Sequence, residues 1–429
     1  MKAYLRSLTA GLGPWETLLI AALSLTLLFS QISVSLVQSF LTLSLVAWII
    51  LLVQKKRRFA FPAFLWPLLV YAALSLVSSA FSRDPAMSFK NTRKILIFIL
   101  IPIVTTAFTR RKEIELLFAA LLGSAFINAV YSISYEVFKA TPGQRVKGFM
   151  GHYMTQAGLL VLFGGLAMGF VLFGRGAKRL VWGAGLVLSS IALVLTLTRS
   201  GWIGLAVALC VVLFLWKPKA LLAVPVLAAL FFFLSPRPVK DRLLSIFSAR
   251  DSSKQARVEY YRAGIKIIGD YPLFGTGPDT VDIVFQNPKY GLDERALQNV
   301  HLHNNILQIA AERGIAALLA WLAFLAAAFV SLARLMKKKD VLLTPLTAGA
   351  LSALAAFTAA GFFEYNFGDS EVVTLLLFII TLPFALERIT PPLLKGEDQF
   401  PTLLKKGNQF PPFSKGGSGG IMATPRGSQ

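Results

Sequence analysis

The sequence predicts an all-α polytopic membrane protein with about twelve transmembrane helices and one large, partly helical loop on the non-cytoplasmic side. Three observations predict it. Of the 429 residues, 55% are hydrophobic and only 15% are charged, with a mean hydropathy of +0.66, a balance that no soluble domain of this size sustains. The apolar residues come in unbroken runs, whereas the strands of an outer-membrane barrel alternate apolar with polar. Basic residues gather between alternate runs, as expected where cytoplasmic connections retain Lys and Arg.

The runs fall at 15–34, 35–53, 61–81, 94–108, 114–138, 154–174, 180–198, 201–216, 220–235, 304–333, 341–363 and 371–387. The first follows Lys2 and Arg6 as a signal peptide would, but it is long, lacks a convincing small-residue cleavage site and leads directly into the second. It reads as a retained helix. The stretch from Leu18 to Val53 is nearly continuous and has to fold back near Gln31 to Gln38. With the N-terminus inside, Lys55 to Arg58, Arg110 to Lys112, Arg175 with Lys178 and Arg179, Lys217 with Lys219, and Arg334 with Lys337 to Lys339 all fall on the cytoplasmic side. The formal net charge of +22 is therefore mostly topological, and no nucleic-acid partner is expected. Cys210, the only cysteine, lies inside an apolar run as a small core residue, which excludes a disulfide framework and a cysteine-rich zinc site.

Outward connections fall near 82–93, 139–153, 199–200, 236–303 and 364–370. The segment from Pro236 to Leu302 is long enough to need folded structure of its own, and such loops are where function usually sits. The chain thus divides into spans one to nine over 1–235, an outward loop domain over 236–303, spans ten to twelve over 304–387 and a tail over 388–429. Pro391-Pro392-Leu393-Leu394-Lys395 starts a repeat with a period of ten that dissolves into Gly and Ser, which predicts a disordered cytoplasmic appendage without chemistry.

The middles of the runs hold almost no ionisable side chains; Glu16, Glu312 and Arg313 lie toward run ends. Ion-coupled transporters carry charge near the bilayer midplane, so the chemistry is expected at the outer boundary instead. Arg199, within Thr196 to Trp202, stands between two spans on the side where basic residues are scarce. A guanidinium there can grip phosphate oxygens bidentately, or simply snorkel beside Trp202. Arg257 and Tyr261 are four apart, so a helix presents them on one face, with Ile265 and Ile268 continuing the stripe. Gly275-Thr276-Gly277-Pro278 lacks the lysine of a P-loop and reads as a tight turn. His301 and His303 precede Asn304, a natural cap that would aim the positive end of the next helix at the outer surface. Without a Cys or an evident third ligand, the His-x-His pair predicts no metal site. Secondary candidates are Arg83, Lys90, Arg93 and Lys94, the segment Gly148 to Tyr153 with His152, and Glu364, Asn366 and Asp369. A solvated face or a polar turn would explain each of these as well.

The Thr198-Arg199-Ser200-Gly201-Trp202 turn, the segment from Arg257 to Pro278, and His303-Asn304 followed after nine intervening residues by Gly314 together resemble the O-antigen ligase family. That family also includes O-antigen polymerases and some protein O-oligosaccharyltransferases. Its pattern closes, after two further residues, with Gly, Thr or Tyr three positions beyond the glycine, where this chain has Ala317. The resemblance covers residues 1–387 and leaves out the repetitive tail. It implies a metal-independent, inverting glycosyltransferase of lipopolysaccharide biosynthesis, multi-pass in a Gram-negative inner membrane with its site facing the periplasm. The donor would be a glycan on undecaprenyl pyrophosphate and the acceptor a sugar hydroxyl of lipid A–core. No cofactor, nucleotide sugar or ATP is implied. His303 is then the expected general base, and Arg199 and Arg257 the residues on the pyrophosphate. Asn304, Tyr261, Arg262, His301 and Arg93 are the expected substrate-binding residues.

Three rivals remain at this level. An O-antigen polymerase uses the same donor with a second lipid-linked glycan as acceptor, and a protein O-oligosaccharyltransferase uses a protein hydroxyl. A lipid-linked glycan flippase or exporter would need a polar cavity at the midplane.

Overall fold

The described residues of this computed structural model are 11–138, 144–245, 252–294 and 296–390. Lys2, Arg6 and the decamer repeats from Pro391 onward lie outside them. The apolar runs fold into α1 Pro14–Phe29, α2 Val34–Val53, α3 Leu65–Ala80, α4 Pro85–Thr92, α5 Leu100–Ala107, α6 Arg111–Phe138, α7 Tyr153–Phe173, α8 Gly176–Leu195, α9 Arg199–Trp216 and α10 Val224–Leu234. The segment after α10 supplies α11 Arg237–Leu244, α12 Ser252–Asp270 and α13 Val281–Phe285, and the chain returns through α14 Asn305–Leu335, α15 Leu343–Ala360 and α16 Ser370–Ile389. No strand occurs among the described residues.

Local signals set the starts. Pro14 and Pro85 occupy first-turn positions where a missing N–H costs nothing, Ser33 caps α2, and Asp84 caps α4 by accepting from the Met87 N–H at 2.9 Å. The fold-back expected between Gln31 and Gln38 occurs just before α2. Eight helices, α2, α6 to α9 and α14 to α16, are long and apolar enough to cross a membrane, while α1, α3 and Pro218–Leu234 are apolar but shorter. The run 94–108 is split, with a 3-10 segment over Arg93–Ile99 leading into the fully buried α5. Pro102 cannot donate back to the preceding turn, which breaks the ladder there. A count of twelve spans is therefore not carried by helix length alone.

Helices α7 and α15 run through the middle of the bundle, and α15 also packs on α9 and α16. Their approach depends on small residues: a Cβ on Gly169 would sit 2.4 Å from the Gly349 nitrogen, the close backbone contact typical of helices that associate in lipid. The periphery exposes large apolar side chains instead, such as Phe138, Leu180, Leu222 and Leu234.

The basic connections gather at one end. Arg57 pairs with Glu16 at 2.8 Å, Arg111 with Asp340 at 2.6 Å, and Lys338 with Glu387. The connections 82–93, 144–152, 196–198 and 361–369, with the α11–α13 segment, contact one another at the opposite end, where the candidate site lies.

Candidate functional site

His301, His303 and Glu364 form the centre. Glu364 takes both histidines, one on each oxygen: His301 Nε2 lies 3.2 Å from Oε1 and His303 Nδ1 lies 3.1 Å from Oε2. The two imidazole rings are 4.5 Å apart. Burial alone would raise the Glu364 pKa, but the hydrogen bonds and charges of the two histidines hold it well below the usual carboxylate range. Burial works against protonation of His301 and Glu364 outweighs it, so His301 is raised. The remaining histidine joins from the start of α7. Burial lowers His152, Glu364 pulls it up, and the charges of His301 and His303 add to the lowering. Asp369, tied to Thr155 by a 2.9 Å hydrogen bond, is pushed to about 6 by burial and by the Glu364 charge.

Asn304 explains how His303 is presented. Its Oδ1 accepts from the Leu307 N–H at 3.0 Å and caps α14, while its Nδ2 donates to the Phe362 carbonyl at 2.9 Å and to the Tyr261 hydroxyl at 3.2 Å. Tyr261 in turn donates to the same carbonyl at 2.6 Å. His303 itself has φ +51°, a left-handed conformation that a residue other than glycine adopts only where its surroundings enforce it.

Further along, α14 is broken at Gly314, whose φ of +82° and ψ of 170° are non-helical. The turn after α12 braces the break. Thr276 and Gly277 donate their N–H groups to the carbonyls of Ala311 and Glu312, both at 2.9 Å, and Ile315 donates to the Pro272 carbonyl at 2.9 Å. The Gly275–Pro278 turn therefore spends its amides on a helix and cradles no phosphate. A Cβ on Gly314 would stand 2.0 Å from the Leu273 carbonyl oxygen, so only glycine fits. Beside the break, a crevice is lined by Lys94, Glu312, Arg313 and Tyr365. Tyr365 is shared between this crevice and the histidine cluster, its ring 6.1 Å from that of His301.

A second centre is basic. Arg199 opens α9 and donates to Ser245 at 3.2 Å. The residue two before it, Leu197, is also left-handed, with φ +50°. Its carbonyl accepts from Arg145 at 2.9 Å and from Arg242 at 3.4 Å. The Arg145 guanidinium lies 3.7 Å from the centre of the Tyr153 ring, which stacks on His152 at 4.9 Å. Burial lowers the Arg145 pKa, Tyr153 opposes that, and the charges of Arg199 and Arg257 lower it further. Arg199 and Arg257 thus lie within electrostatic reach of Arg145, and Tyr153 and His152 link Arg145 to the histidines.

The sequence-expected residues divide accordingly. His301, His303, Asn304 and Tyr261 share one hydrogen-bonded cluster with Glu364 and Phe362, while Arg199 and Arg257 belong to the basic centre. Arg262 and Arg93 are exposed outside both. The apolar stripe of α12 is offset from the expected one. Tyr260, Ala263 and Ile267 are buried in a small core with Val281, Phe285 and Leu302, whereas Ile265 is 65% exposed. The site packs on the 260 face, which turns Ile265 outward. The histidine pair also has the carboxylate neighbour that spacing along the chain did not reveal. One ligand atom from each of His301, His303 and Glu364 lies within 4.8 Å of the others, a set able to hold a divalent ion in place of their hydrogen bonds. Arg145 and the linking role of His152 were not read from the sequence. The signal that singled out Arg199, a basic residue on the side where they are scarce, applies equally to Arg145.

Residues 184–322 match the family model described as O-antigen ligase. This chain carries an O-antigen ligase domain. The match supports the O-antigen ligase/polymerase superfamily, a glycosyltransferase-like enzyme, and substrates that are a lipid-linked glycan and a lipid acceptor. No curated protein matches the chain. The O-antigen ligase domain runs from within α8 into α14 and takes in Arg199, Arg257, His303 and Gly314. Arg145, His152 and Glu364 lie outside it and reach the site through the fold.

Proposed function

We propose that this O-antigen ligase domain protein is a periplasm-facing, inverting glycosyltransferase. It would move an undecaprenyl-pyrophosphate-linked glycan onto a sugar hydroxyl of lipid A–core in a Gram-negative inner membrane. The observation that carries the reading is the convergence at one end of the bundle of a carboxylate-anchored histidine pair and a cluster of arginines. Glu364 accepts from His303 Nδ1–H, which fixes the tautomer and leaves Nε2 with its lone pair. That nitrogen takes the proton of the acceptor hydroxyl as its oxygen attacks the anomeric carbon from the face opposite the phosphate. The bond from the anomeric carbon to the phosphate oxygen breaks, its electron pair stays on the diphosphate, and Arg199 and Arg257 stabilise the charge that develops. Glu364 offsets the imidazolium that forms, as a triad carboxylate does. No step needs a metal.

Transfer from a synthetic undecaprenyl-pyrophosphate glycan to lipid A–core, with protein purified in detergent, tests this directly. Retention of full activity in His303→Ala would remove the assigned base. A wild-type protein that elongates lipid-linked glycan and ignores lipid A–core would make it a polymerase. We further propose the four-part organisation over 1–235, 236–303, 304–387 and 388–429, with the α11–α13 segment in the periplasm.

A further inference from the structure

We infer that Arg145 is a third diphosphate-holding residue, set in place by Tyr153, and that the basic centre recognises both phosphates of its ligand together. The inference rests on the transferase reading above and extends it to a residue outside the O-antigen ligase domain.

Four observations carry it. Arg145, from the connection before α7, and Arg242, from α11, both donate to the Leu197 carbonyl two residues before Arg199, so three separate pieces of chain bring positive charge to one turn. The Tyr153 ring takes the flat face of the Arg145 guanidinium. A guanidinium stacked this way keeps its in-plane donors free for bidentate contact with phosphate oxygens. The hydrogen bond to the Leu197 carbonyl then fixes the rotation of that plane against the turn that carries Arg199. Finally, the carbonyl that orients Arg145 belongs to the left-handed Leu197, so the backbone is held in a costly conformation at the point where the guanidiniums converge. Tyr153 touches Arg145 on one side and His152 on the other, which places this anion centre beside the histidine cluster where the glycosidic bond would break.

The test uses full-length protein in detergent, with Arg145→Gln, Arg145→Lys and Tyr153→Leu. Two quantities are read: the KM for the lipid-diphosphate glycan donor against kcat, and the rise in melting temperature produced by inorganic pyrophosphate compared with inorganic phosphate. Loss of one charge-assisted contact should raise the donor KM of Arg145→Gln by about tenfold or more, with a smaller change in kcat. The wild type should be stabilised more by pyrophosphate than by phosphate, and this preference should vanish in Arg145→Gln, persist in part in Arg145→Lys and weaken in Tyr153→Leu. An unchanged KM and an unchanged pyrophosphate preference in Arg145→Gln would overturn the inference. So would a lowered melting temperature without ligand, accompanied by an unaltered KM, because that pattern belongs to a purely structural arginine. Failure of the transferase reading looks different. Wild-type protein would then transfer no glycan at all, while the pyrophosphate shift would still report on Arg145.

Discussion

At the residue scale, the protein concentrates unfavourable backbone where its chemistry is expected. Among the described residues, four that are not glycine have positive φ, and three of them, Leu197, Asp279 and His303, lie at the candidate site or its brace. Such strain persists only where surrounding contacts over-determine it, and the bonds of Asn304 and the Leu197 carbonyl do so here. His303→Ala should lower transfer by about 10²–10⁴-fold, the usual contribution of a positioned base, measured as initial rate in detergent. Arg199→Gln and Arg257→Gln should each lose about 10²–10³-fold in kcat. EDTA should leave all of these rates unchanged; a rate restored by added divalent ion would instead assign the His301, His303 and Glu364 set to a metal. The same trio sets a pH dependence. Glu364 is depressed, so its contribution to stability is present above its ordinary value of 4.5 and fades as pH falls. His301 is raised, so its contribution is complete below its ordinary value of 6.5 and is lost as pH climbs through the higher folded value. Wild-type melting temperature should therefore decline as pH is raised past 6.5, and Glu364→Gln should flatten that decline.

At the element scale, two helices are shaped by contacts that their own sequences do not announce. The break in α14 exists because the Thr276 and Gly277 amides take the carbonyls of Ala311 and Glu312 while the chain turns at Gly314. Gly314→Ala should cost about 1–3 kcal/mol in backbone strain alone, with the Leu273 carbonyl blocking the new Cβ as well. Thermal melts together with transfer rates would show it, and a silent substitution would contradict the geometry. The start of α7 is held by buried amides: Asn128 donates to Gln31 at 3.0 Å, and Gln156, one turn after His152, donates to Asn128 at 2.8 Å. Asn128→Leu removes the donor to Gln31, leaves the Gln156 amide only its bond to Ser132, and should destabilise by about 1–3 kcal/mol. The amphipathic reading of α12 found Arg257 and Tyr261 but misjudged Ile265, because periodicity gives the repeat and not which face meets a neighbour.

At the scale of the whole molecule, the basic connections share one end through Arg57–Glu16 and Arg111–Asp340, and the candidate site occupies the other. This predicts a labelling pattern. In a Cys210→Ala background, cysteines at Lys266 and Val300 should react with a membrane-impermeant maleimide from the periplasm, and cysteines at Lys56 and Lys337 should not. Labelling of all four from the same side would overturn the assigned orientation. Sequence by itself determined that the chain is an all-helical membrane protein, where basic residues accumulate, and which short motifs carry Arg199, Arg257 and His303-Asn304. Hydrophobic runs, charge asymmetry and helix caps are local properties, written in consecutive residues. Only the tertiary structure decided that Glu364 anchors both histidines, that Arg145 and His152 join them from before α7, that the run 94–108 splits, and that the Gly275–Pro278 turn serves a helix break. The histidine–carboxylate contacts span more than sixty residues of chain, and a buried carboxylate or guanidinium takes its chemistry from the partners that folding brings to it.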